Sequence, residues 1–129
     1  MCGIAGALHL SGGPIPDLDR RLGVMNDLQR HRGPDGRGIW VHEARRVGFG
    51  HQRLSIIDIE TGDQPMRDAA GNWITYNGEV YNYLELRDEL GASGFATRSD
   101  TEVLLHAYRK WGVDCLKRLR GMFAFARSF

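Results

Sequence analysis

Apolar residues recur along this chain at two spacings, and the switches between them mark its elements. The stretch from Cys2 to Leu10 is mostly apolar and short, as in a largely buried strand, and Ser11-Gly12-Gly13-Pro14 ends it as a turn. Asp17 can cap a helix whose Leu18, Leu22, Met25 and Leu28 fall at helical spacing up to the breaker Arg32-Gly33-Pro34. Short β-like runs follow at Gly38 to His42, Val47 to His51 and Asn72 to Tyr76. Asn82 with Glu85 has the form of a capping box and opens a second helix that ends near Gly91. Ser99 with Glu102 forms another box; its helix puts Val103, Leu104, Ala107, Tyr108 and Trp111 on one face, and Gly112 stops it. An amphipathic turn with Val113, Leu116 and Leu119 precedes a final strand, Met122 to Ala126. The pattern predicts one α+β unit over residues 1–129, with no repeat and no long linker, whose last strand runs almost to Phe129 and lacks its continuation. Exposed apolar surface and association between copies, a homo-oligomer, are the expected consequences.

Composition narrows the function classes. The 129 residues are 42% hydrophobic and 26% charged, which suits a folded domain. With 17 Lys plus Arg against 16 Asp plus Glu the net charge is +1, so a nucleic-acid partner is not expected. No apolar run approaches the roughly 20 residues of a membrane span, and the start lacks a secretory pattern, so the cytoplasm is the expected compartment and a membrane is not an expected partner. Two cysteines make no disulfide framework. Cys115 suits a small buried apolar position, and the five histidines are not paired at metal-ligand spacing, so no metal is predicted.

Four places could carry chemistry. If Met1 is removed, Cys2 holds both a thiol and a free α-amine. With ordinary pKa values of about 8.5 and 8, the unprotonated amine can accept the thiol proton. The alternative is a small side chain buried beside the terminus. Tyr76-Asn77-Gly78-Glu79 comes where a strand gives way to a turn; the Asn77 side chain and Gly78 N–H could aim two donors at one oxyanion, although Asn-Gly is also the commonest hairpin turn. Arg53, in a strand-like segment, could grip a carboxylate with two parallel hydrogen bonds or lie solvated at a strand edge. Asp100, in a helix's first turn, could hold an ammonium or simply complement the helix dipole. Ser11-Gly12-Gly13 and Gly33 to Gly38 look like phosphate loops but lack the Gly-Lys-Ser/Thr companion.

Taken in order, Met1-Cys2-Gly3-Ile4-Ala5-Gly6, Arg30 to Gly36, Gly50 to Ile56, Gln64-Pro65-Met66, Tyr76 to Tyr83 and Ser99 to Glu102 closely resemble the glutaminase domain of glutamine-hydrolysing asparagine synthetases. The Arg-Gly-Pro-Asp block is more similar to that branch than to the glucosamine-phosphate, phosphoribosyl or glutamate synthase branches of N-terminal-nucleophile amidotransferases. The resemblance runs from the first residue to about Ala126, then departs where an acidic residue is expected.

The resemblance implies an αββα sandwich of the N-terminal-nucleophile hydrolase type. It also implies roles: Cys2 attacks the side-chain amide of glutamine and forms a glutamyl thioester, releasing ammonia, with Asn77 and the Gly78 N–H as the oxyanion hole. Arg53 would bind the α-carboxylate, and Asp100 and Glu79 the α-ammonium. Arg32 and Gly33 would support the pocket. A full enzyme of this kind continues into an ATP-binding synthetase domain that amidates aspartate to asparagine. These residues would therefore use no cofactor of their own, ATP and magnesium belonging to that second domain. The acceptor of ammonia would be such a domain or a partner chain. The other reading is a catalytically silent fragment that binds glutamine or docks on a partner.

Overall fold

The computed structural model describes residues 1–91 and 93–128, so Phe129, the end of the expected unit, lies outside the described residues. Two antiparallel three-stranded sheets face each other. The first has the order β1 (Gly3–Leu8), β3 (Val47–Arg53), β2 (Gly36–Val41); the second has β4 (Met66–Arg67), β5 (Trp73–Val80), β6 (Gly121–Arg127). Helix α1 (Leu18–Leu28) covers the outer face of the first sheet. Helices α2 (Tyr83–Leu90) and α3 (Asp100–Trp111) pack together, and α3 lies on the outer face of the second sheet. Helix, sheet, sheet, helix is the expected αββα order.

Strand periodicity assigns the faces. A Cβ at Gly50 would come within 2.5 Å of Asn26 Oδ1, so β3 lacks a side chain where α1 crosses it, and Leu18 and Leu22 are fully buried there. Each such leucine stabilises by about 1.5–3 kcal/mol relative to exposure. Phe49, His51 and Arg53 therefore face the second sheet. On β5 the even positions Ile74, Tyr76 and Val80 join Leu86, Val103, Leu104 and Leu105 in the larger core, and the odd positions face the first sheet. Trp40 and Trp73 stack across the gap, ring centroids 5.4 Å apart.

Several local expectations give way to tertiary packing. The buried face of α1 is Leu18, Leu22 and Asn26, while Met25 and Leu28 are exposed. Asp17 starts α1 in a left-handed conformation, φ 52°, without a side-chain cap. Asn82 caps nothing either: its Nδ2 donates to the Arg118 carbonyl (2.9 Å) and its Oδ1 accepts from Arg120 N–H (2.9 Å), tying α2 to the entry of β6. Ser99 does cap α3 through Thr101 N–H, but Glu102 is buried against the preceding loop, accepting from the amides of Ala96 (2.8 Å) and Thr97 (2.7 Å). Val113 and Leu116 stay exposed. Cys115 is fully buried, and burial, then the Asp114 charge, pushes its thiol up, as suits an inert apolar filler. The strand β4 has no signal in the pattern. Among the described residues no helix is long and apolar enough to cross a membrane, and no three His, Cys, Asp or Glu side chains converge on a metal position.

Candidate active site

Cys2 enters β1 held from two sides. Leu54 N–H donates to its Sγ at 3.3 Å, and Arg32 Nε donates to its carbonyl oxygen at 3.0 Å. A Cβ at Gly33 would come within 2.5 Å of the Arg53 carbonyl carbon, so the turn bearing Arg32 lies directly on the end of β3. The thiol is thus fixed by backbone it meets only through folding.

The strand β5 builds the facing wall, and one proline shapes it. Alternate amides of a strand point to opposite edges. On the edge toward β4, pairing reaches only Met66 opposite Ile74, because Pro65 has no N–H to continue the ladder. The next amide on that edge, Tyr76 N–H, donates instead to the Gln64 side chain at 2.7 Å, while Gln64 Nε2 donates to Thr101 Oγ1 at 3.3 Å. Further along, Val80 N–H donates to Asp100 Oδ2 at 3.2 Å. The Gly78 N–H lies between these two and faces the same edge. Asn77 and Gly78 are not in a turn: they pair with Ala124 and Phe123 in mid-strand, and β5 ends at Val80. Gly78 has φ 157°, and a Cβ there would overlap the Met122 carbonyl, so β6 requires the glycine.

Asp100 is buried at the start of α3 and accepts from Tyr76 O–H at 2.8 Å through Oδ2 as well as from Val80. Burial, then the Asp100 carboxylate, pushes the Tyr76 phenol far up, which keeps it a neutral donor. Glu79 is half-buried; burial first and the Asp100 charge second push its carboxyl up, while the chain's terminal ammonium pulls it down.

Arg53 is neither solvated nor at an open edge: it is buried, and its terminal nitrogens are engaged. One donates to the Ile59 carbonyl and to Asp63 Oδ1, both at 3.0 Å, and the other to the carbonyls of Ile57 and Asp58. The guanidinium folds the 57–63 loop around itself. Asp58, left-handed at φ 50°, secures that loop to the start of α3 by accepting from Arg98 N–H at 2.7 Å.

These groups share one cavity of about 220 Å³. Cys2, Arg53, Asn77, Gly78, Glu79 and Asp100 all line it, with Gln64, Tyr76 and Thr101, and Met1 stands at its wall. The volume is below the roughly 300–1,000 Å³ of drug-sized pockets and suits a molecule of amino-acid size. All six residues singled out from sequence meet there. The supporting parts played by Gln64 and Tyr76 were not assigned, although both stand inside the recognised blocks.

A thiol at the mouth of β1, lining a cavity between two sheets flanked by helices, is an arrangement that fits one hydrolase-like class. The family described as the glutamine amidotransferase domain matches residues 1–127, and the chain belongs to it. Among its relatives, asparagine synthetase [glutamine-hydrolyzing] 1 of Bacillus subtilis is 47% identical over 97% of this chain and 20% of that protein. Asparagine synthetase [glutamine-hydrolyzing] 3 of the same organism is 44% identical over 98% of the chain and 21% of its length. Asparagine synthetase [glutamine-hydrolyzing] 2 of Oryza sativa is 40% identical over 97% and 21%. The chain thus spans about a fifth of the length of these relatives.

Proposed function

We propose that this domain hydrolyses glutamine to glutamate and ammonia through a thioester on Cys2, the ammonia serving the amidation of aspartate to asparagine in a synthetase domain. The observation that carries the reading is the convergence of a thiol, a carboxamide, a strand amide and two carboxylates on one small cavity. With Met1 removed, the Cys2 amine takes the thiol proton as Sγ attacks the side-chain carbonyl carbon of glutamine. The oxyanion of the tetrahedral intermediate accepts from Asn77 Nδ2 and Gly78 N–H. Collapse breaks the carbon–nitrogen bond, the proton leaves with ammonia, and water cleaves the thioester. Asp100, with Oδ2 already engaged by Tyr76 and Val80, offers Oδ1 to the α-ammonium alongside Glu79.

Arg53 is the carboxylate partner in this reading, and its hydrogen bonds to the 57–63 loop require that some of them be exchanged when substrate binds. Removing Met1 clears one wall of the cavity and converts an amide nitrogen, which is no base, into an amine. ATP and magnesium have no part at these residues; their chemistry belongs to the synthetase domain. Intact mass combined with glutamate release from glutamine tests the proposal. Activity should appear only in material that has lost one methionine, and full activity with Met1 attached would refute the N-terminal amine as base.

A further inference from the structure

His51 is fully buried between the sheets and belongs to no step above. Its Nδ1 lies 3.2 Å from Thr75 Oγ1, and that hydroxyl donates to the Gly50 carbonyl at 3.2 Å. A hydroxyl has one hydrogen, so Nδ1 carries the proton and donates. His51 Nε2 is then a bare acceptor, buried without a hydrogen-bond partner. Asn77 Oδ1 is a second buried acceptor without one.

The two belong to the same layer. Thr75 and Asn77 are two residues apart on the inward face of unbroken β5, about 6.6 Å along the strand, and His51 touches the first of them. Two acceptors cannot bond each other, but one water donating a hydrogen to each satisfies both. Two such bonds, of about 2.8 Å each, let one water span acceptors up to about 5.6 Å apart. We propose that His51 is a positioning residue for Asn77: a water shared by His51 Nε2 and Asn77 Oδ1 fixes the carboxamide with its Nδ2 toward Cys2. The two ends of a carboxamide are nearly isosteric, so an unheld Asn77 could turn an oxygen toward the developing oxyanion, replacing a donor with an acceptor. The inference rests on the oxyanion reading of Asn77.

The test uses the processed chain and two variants. Asn reproduces the Nδ1 position of histidine and Gln the Nε2 position. His51→Asn should keep the Thr75 hydrogen bond and lower kcat about tenfold with KM within twofold, while His51→Gln should stay within threefold of the parent. In an Asn77→Ala background, His51→Asn should cost nothing further. Equal losses in both His51 variants, or losses that multiply with Asn77→Ala, would overturn the proposal. If Asn77→Ala itself leaves kcat unchanged, the oxyanion reading fails and the catalytic role of His51 fails with it. The bridge is then judged separately by the imidazole ¹⁵N resonance of His51 Nε2: it should move in Asn77→Ala, and an unmoved resonance would refute the bridge.

Discussion

Acid should destabilise this fold through His51 well before its carboxylates respond. Burial first, then the Arg53 charge, lowers the imidazole from 6.5 to about 4. The unfolded chain therefore binds a proton at this position between pH 6.5 and about 4 that the folded chain refuses. By linkage, the stability from the neutral imidazole is complete above 6.5 and is lost as pH falls toward 4. At about 1.4 kcal/mol for each tenfold change in proton affinity, the loss amounts to about 3 kcal/mol, a large share of the roughly 5–15 kcal/mol that holds a domain together. Asp58 and Asp68 fall outside this window: their burial penalty is outweighed by hydrogen bonds from Thr61 and Arg98 N–H and from Asn72, so they sit below 3.8 and act at lower pH. Glu79, pushed up from 4.5 by burial and Asp100, works in the opposite direction and masks part of the loss near its own titration. Urea unfolding of the parent and of His51→Gln, followed by circular dichroism from pH 7.5 to 4.5, separates these effects. The advantage of histidine over glutamine should shrink by about 2.5 kcal/mol across that range. A difference that stays constant with pH would refute the reasoning.

Asn77→Ala should lower kcat for glutamate release about 10²- to 10³-fold with a smaller change in KM; a large KM effect with kcat intact would make Asn77 a ground-state binder. Arg53→Ala should raise KM at least tenfold and also lower the urea midpoint, because it strands the Ile57, Asp58 and Ile59 carbonyls; unchanged glutamine affinity by titration would remove Arg53 from the binding site. Gly78→Ala should destabilise the domain by on the order of 2–4 kcal/mol, since the new methyl overlaps the β6 backbone, and thermal unfolding at the parent temperature would contradict that packing.

The strands and helices with strong periodicity were legible from the residues alone, whereas the six positions that share the cavity stood out together only through the resemblance of the blocks that carry them. What the sequence concealed is what long-range contact decides. Asn77-Gly78 has the form of a turn, yet pairing with Ala124 and Phe123 draws it into mid-strand. Asp17 and Asn82 have the chemistry of helix caps, but Asn82 meets better partners at Arg118 and Arg120. Asn26, not Met25, faces inward on α1 because Gln52 Nε2 donates to its carbonyl (2.9 Å) and its own Nδ2 donates to the Gly38 carbonyl (3.0 Å). Two-residue β4 is too short to leave a period. Arg53 gave no hint that it organises the loop following it, since its partners are backbone carbonyls, which any residue carries.

The halt of β4 at Pro65 turns the edge of β5 into a ruler. At every second residue the strand offers one amide: the first goes to Gln64, the third to Asp100, and the one between them is Gly78. The spacing of these three amides is thereby set by the pleat itself, and no side-chain torsion can lengthen it. The same pleat makes the arrangement all-or-none. A one-residue slip of β5 against β6 would bring odd-numbered amides to this edge, turn Asn77 away from Cys2, and bury Glu79 in the helix-side core. Substitutions can tune this site, but an insertion or deletion of one residue within β5 would erase every contact the strand makes to it at once.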